Sequence, residues 1–157
     1  MSVQLERVGD IVRFLYRVVG SGVRFSPFSN GSRRDELWKT TCFEFFIGPA
    51  GQPSYFEINM ATSGDWNVYA FDDYRAGMKP VAGVRKSPLK AVRATGDGLE
   101  LEGEFRLSEF PLLGPVVLGA TAVVEYLDGS KDYWALAHNG EKPDFHIHSS
   151  FIASIEG

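Results

Sequence analysis

The stretch from Leu37 to Met78, LWKTTCFEFFIGPAGQPSYFEINMATSGDWNVYAFDDYRAGM, constrains the fold most. It sets three strand-like segments next to one another, joined by turn residues, and their period is two. Thr41 to Ile47 is apolar apart from Glu44, the pattern of a central strand buried on both faces. Gly48, Pro49, Gly51 and Pro53 then turn the chain into Tyr55–Met60. There Phe56, Ile58 and Met60 point one way, and Tyr55, Glu57 and Asn59 the other. A Thr-Ser-Gly-Asp turn leads on to Trp66–Asp72.

The rest of the chain keeps this period. Val12, Phe14, Tyr16 and Val18 share one face, with Arg13 and Arg17 on the other, which predicts a half-buried strand. Leu99, Leu101, Phe105 and Leu107 alternate with Glu100, Glu102, Glu104 and Arg106 in the same way. Lys90–Thr95 reads as a weaker strand, Val116–Leu127 as a long apolar one, and Asp132–Ala137 as its hairpin partner. A last strand is expected through Phe145 to Ile155. Asp97-Gly98 and Asp128-Gly129 are hairpin turns. Ser108-Glu109-Phe110 fits one helical turn, Gly20–Lys39 a long loop with Arg33-Arg34 as a solvated pair, and 73–86 irregular chain. With roughly nine to eleven strands and no helical periodicity, the expectation is all-β: a two-sheet, mainly antiparallel sandwich forming one domain over 1–157.

Charge and composition exclude several functions. The net charge of −4 gives no basic surface for nucleic acid. No apolar run is long enough for a membrane-spanning helix. The start, MSVQLERVGD, lacks the basic and apolar regions of a secretory signal, so a cytoplasmic location is expected. The single Cys42 rules out an internal disulfide and, lying in a strand pattern, reads as a small buried apolar residue. No phosphate-binding glycine motif is present.

Three segments, LWKTTCFEFFIG, YFEINMATSGDWNVYAFDDYRAGM and YWALAHNGEKPDFHIHSSF, resemble the DOMON-like domains, the superfamily of the family-nine carbohydrate-binding modules. The resemblance runs from about Leu37 to the C-terminus and is nearest to a bacterial branch of stand-alone proteins. It implies a β-sandwich that binds a sugar, haem or another small ligand. Haem-binding relatives use a Met and a His as axial ligands, for which Met60 and His146 or His148 are available here.

Two constellations carry chemistry. The first is Trp38, Glu44, Glu57, Asn59, Trp66, Arg75 and Trp134. Flat indoles suit the C–H face of a pyranose, and planar polar groups suit its hydroxyls. A carboxylate within so apolar a strand is costly unless paired, so Glu44 is expected to be buried, with Arg75 or Lys39 or backbone amides as partner. The competing reading makes the three Trp core or rim packing and Glu44 a structural ion pair. The second constellation is Asp144, His146 and His148, which would share one strand face and could ligate a divalent metal, with His138 as a fourth donor. Against this stands a polar sheet face with Asp144 orienting an imidazole.

A glycosidase would need two carboxylates placed across a cleft, and no nucleophile–base arrangement is legible. The expectation is therefore a non-enzymatic ligand-binding module without a resident cofactor, its ligand a carbohydrate or sugar-containing metabolite. A haem or metal protein, and an interaction module that forms a homodimer, remain as alternatives.

Overall fold

A computed structural model describes residues 1–155. The described residues form eleven strands: β1 (Ser2–Val8), β2 (Ile11–Val19), β3 (Cys42–Pro49), β4 (Tyr55–Ala61), β5 (Trp66–Phe71), β6 (Lys79–Pro80), β7 (Leu89–Thr95), β8 (Gly98–Arg106), β9 (Val116–Glu125), β10 (Lys131–Ala135) and β11 (Ala153–Ile155). Helical structure among the described residues is limited to three single 3₁₀ turns, at Leu37–Lys39, Leu107–Glu109 and His148–Ser150.

The strands form two antiparallel sheets. The smaller has the order β1-β2-β8-β7, and the larger β10-β9-β3-β4-β5-β6, with β11 also on β9. Alternation decides which side chains meet between them. Val12, Phe14, Tyr16 and Val18 of β2, with Leu99, Leu101 and Phe105 of β8, face Phe43, Phe45 and Ile47 of β3 and Ile58 and Met60 of β4. Phe14 and Phe45 meet edge to face at 5.0 Å, and the Tyr16 hydroxyl donates to the Glu44 carbonyl at 2.8 Å, tying one sheet to the other. Burying a side chain of this size stabilises by about 1.5–3 kcal/mol.

β3 is buried from Cys42 through Gly48 because its other face is covered too. Phe46, Tyr55, Tyr69, Phe71 and Phe151 form a second apolar cluster on the outer face of the larger sheet. The chain after β10 returns across that face. Phe151 lies against Gly119, where an added Cβ would come within 2.9 Å of its ring, so only glycine admits this approach.

Two expectations need correction. The strand through Phe145 to Ile155 is only Ala153–Ile155, because residues 145–150 bend over the sheet and close in a 3₁₀ turn. Arg33 is exposed as expected, but it is also anchored: its guanidinium lies 4.3 Å over the Trp66 ring, and it donates to Asn67 Oδ1 at 2.7 Å and to the Val81 and Val84 carbonyls. Its neighbour Arg34 pairs with Asp65 at 3.2 Å. The long loop is thus bolted to the sheet at its middle, and Gly31 sits so close to Gly64 that a Cβ would overlap the backbone there. Strand β1 was not assigned from the sequence; as an edge strand it buries little, with Val3 packed against the core.

Candidate functional site

The outer face of the larger sheet carries a polar stripe. Register places Glu44 opposite Thr121 on one side and Asn59 on the other, and Asn59 opposite Asn67. Glu57 stands diagonally beside Glu44, two residues before Asn59 on β4. Above this stripe lies a cavity of about 360 Å³, within the roughly 300–1,000 Å³ typical of small-molecule sites. Glu44, Glu57, Phe71 and Val123 form its floor. Trp38, Arg75, Met78, Tyr133, Phe145 and His146 rise around it from three loops and β10.

The carboxyls are buried but not ion-paired. Glu44 is 2 % and Glu57 5 % exposed. Thr121 Oγ1 donates to Glu44 Oε2 at 3.0 Å, and Asn59 Nδ2 to Glu57 Oε1 at 2.7 Å. The expected Arg or Lys partner of Glu44 is not there: Arg75 pairs with Asp144 at 2.9 Å and Lys39 with Glu36 at 2.7 Å. Burial, and then the charge of Glu57, raise the Glu44 carboxyl above the ordinary carboxylate range. Burial raises Glu57 as well, against the Asn59 hydrogen bond and the Arg75 charge. With no cation beside them, burial and mutual repulsion shift both carboxyls toward the protonated form.

His146 is fixed from both sides. The Arg75 backbone N–H donates to the Tyr55 oxygen at 3.2 Å, and the same hydroxyl is hydrogen-bonded to His146 Nδ1, 2.7 Å away. The other ring nitrogen, Nε2, lies 3.9 Å from Glu57 Oε2. Burial, with the Arg75 charge second, lowers His146 to about 4. Burial raises Tyr55 to about 12. Asp144 accepts from Tyr74 and Arg75, and these bonds hold it below its usual range although burial opposes them. Arg75 occupies the left-handed region at φ 51°, and so does Glu36, at φ 63°, just before the turn that presents Trp38. Non-glycine residues adopt this conformation at a cost, and both flank the cavity.

Trp38 is held from behind. Its indole meets Tyr69 edge on at 6.0 Å, and Tyr69 donates to Asp35 Oδ1 at 2.6 Å, as does Asn67 Nδ2 at 2.9 Å. Loop and sheet therefore lock together beside the indole.

Of the sequence candidates, the structure brings Trp38, Glu44, Glu57 and Arg75 to one cavity, with Asn59 fully buried beneath it. Trp66 and Trp134 point the other way. Trp66 pairs with inward-facing Met60 and is 4 % exposed, and Trp134 packs edge on against Tyr16 at 6.3 Å. Both belong to the core, as the competing reading had it. Tyr133, one residue from Trp134, has the outward parity and lines the cavity. Tyr55 and Phe71 were legible as face-mates of Glu57 and Tyr69, whereas Phe145 and Met78 sit on irregular chain without a pattern.

Asp144, His146 and His148 do not share a strand face. His148 packs on Phe151 at 4.8 Å, and Asp144 is engaged by Arg75. Among the described residues no group of three or more His, Cys, Asp and Glu side chains is placed to hold a metal ion. Met60 lies in the core, on the opposite side of the sheet from His146, so the two cannot serve as axial ligands to one haem. Cys42 is buried with Leu37 and Ala61. Among the described residues no helix is long and apolar enough to cross a membrane. A second cavity of about 700 Å³, between the 107–117 segment and β11, is apolar apart from Arg7, Ser108 and Ser154.

No family model matches the sequence, and no curated protein matches it. Among solved structures, the chain is similar to a candidate carbohydrate-binding protein from Bacteroides uniformis. The two share 18 % identity with a TM-score of 0.66, over 92 % of this chain and 72 % of the other, a likeness of fold.

Proposed function

We propose that the protein is a non-catalytic binding module of DOMON-like type, and that its ligand is a carbohydrate or sugar-containing metabolite seated over Glu44 and Glu57. One observation carries this reading: an aromatic-walled cavity with convergent carboxyl, guanidinium and imidazole groups on a rigid sheet face. Trp38, Tyr133 and Phe145 offer apolar faces to a sugar ring, while Glu57, Arg75 and His146 offer acceptors and donors to hydroxyls. The fold shared with the Bacteroides uniformis protein, itself a candidate carbohydrate-binding protein, supports the same class. The carboxyls favour binding over hydrolysis. They lie side by side on neighbouring strands of one floor, whereas glycosidase carboxylates flank the scissile bond. No resident cofactor enters this reading, and a cytoplasmic location goes with it.

Titration with a panel of mono- and disaccharides, followed by tryptophan fluorescence, tests the proposal. A saturable change that disappears in Trp38→Ala is expected. Saturable binding unchanged in that variant would place the ligand elsewhere. Homodimerisation is a second reading, favoured by the free edge of β1, where Leu5 and Val8 are exposed. Light scattering over a concentration series decides it.

A further inference from the structure

The floor of the cavity holds two buried carboxyls with no cation beside them, and a neutral sugar would supply none. Glu44 and Glu57 are both almost wholly buried, both border the cavity, and Thr121 and Asn59, both neutral, hydrogen-bond to them. Among the described residues, the ion pairs leave Glu44 without a cation, and the one basic neighbour of Glu57 is His146 at 3.9 Å. His146 is held neutral by its burial. Arg75, the cationic side chain of the wall, is matched by Asp144 at 2.9 Å. Phe71 lies in this floor, and Trp38, Tyr133 and Phe145 border the cavity around it. Buried carboxyl groups under an aromatic wall are the complement of an ammonium group. The carboxylates give charge-assisted hydrogen bonds, and aromatic rings give cation–π attraction.

We infer that the ligand selected by this cavity carries a protonated amine, as a free amino sugar does. The inference rests on the proposed sugar-binding reading of the same cavity. The ammonium sits over Glu44 and Glu57, where its charge is matched by the carboxyls, and the sugar ring lies against Trp38. An N-acetylated sugar lacks the charge and presents an amide to two buried carboxyls, so it is rejected.

Calorimetric titration of the wild-type protein at neutral pH with D-glucosamine, D-glucose, N-acetyl-D-glucosamine and cyclohexylamine tests this. Glucosamine is expected to bind about tenfold or more tightly than glucose and the acetylated sugar, a difference of about 1.4 kcal/mol. Glu57→Gln, which keeps the shape and removes the charge, is expected to abolish the preference. Glucose binding as tightly as glucosamine overturns the inference and leaves the sugar-binding reading standing. Cyclohexylamine binding without any sugar binding upholds the amine and overturns the sugar. Binding by none of the four overturns both. Should Glu57→Gln fail to fold, the ratio measured on the wild type decides by itself.

Discussion

The Tyr55 hydroxyl stands 2.7 Å from His146 Nδ1, joining the floor of the cavity to the loop that forms its wall. The same oxygen accepts the backbone N–H of Arg75, so one side chain of β4 positions two wall segments. Tyr55 is itself stacked on Phe71 at 4.8 Å and an interplanar angle of 8°, which leaves the phenol little freedom.

Tyr55→Phe keeps that stacking and removes both hydrogen bonds. His146 Nδ1 is then left unpartnered in a mostly buried ring, which costs about 1–3 kcal/mol. The urea midpoint is expected to fall with an unchanged slope. Affinity for the ligand is expected to fall as well, since the His146 loop loses its anchor.

The two buried carboxyls make stability depend on pH in an unusual sense. Their folded pKa values are raised, chiefly by burial. The folded protein keeps protons that the unfolded chain releases above about pH 4.3. Their contribution is complete below that pH and is lost as pH rises through the folded values. His146 acts oppositely. Its folded value is lowered to about 4, so its contribution is complete above about pH 6.5 and is lost as pH falls. Above pH 6.5 the carboxyls act without it. Glu44→Gln is therefore expected to gain stability relative to wild type as pH rises from 6.5 to 8.5, by at most about 1.4 kcal/mol per pH unit for one proton. Urea unfolding of both proteins across that range measures it. A difference independent of pH would show that Glu44 stays ionised in the fold.

Arg33→Ala tests the bolt of the long loop. It removes the stacking on Trp66 and the hydrogen bonds to Asn67, Val81 and Val84. The expected loss is about 1–2 kcal/mol, since the arginine is largely exposed. Amide exchange in residues 20–39 is expected to accelerate more than exchange in β3. Uniform acceleration would mean that the loop has no separate stability.

Trp134 and Trp38 separate packing from binding. Trp134→Ala opens space beside Tyr16 between the sheets and is expected to cost about 3 kcal/mol of stability while leaving affinity intact. Trp38→Ala removes an indole from the cavity wall and is expected to cost affinity with a smaller effect on stability. Chemical denaturation beside ligand titration gives both quantities for each variant.

Alternation alone predicted much of the larger sheet, because side chains of one strand must point to opposite faces. Phe56, Ile58 and Met60 on one side of β4, with Tyr55, Glu57 and Asn59 on the other, is the arrangement found. The burial of Glu44 followed from its apolar neighbours. The sequence could not say how Glu44 is neutralised, since that depends on which residues of β4 and β9 lie across from it. Register set Thr121 and Asn59 there with no cation, and burial beside Glu57 raises the Glu44 carboxyl instead. Nor could it tell Tyr133 from Trp134. Adjacent residues take opposite faces, and only the pairing with Val123 and Ala122 shows which one faces out. The Asp144–His148 segment looked like a strand because its apolar and polar residues alternate, yet it bends over the Phe46, Tyr55 and Phe71 cluster, where His146 finds three aromatic neighbours. Local periodicity determined the strands and their faces. The cavity is made of contacts between distant segments, and these follow from register and packing across the whole sheet.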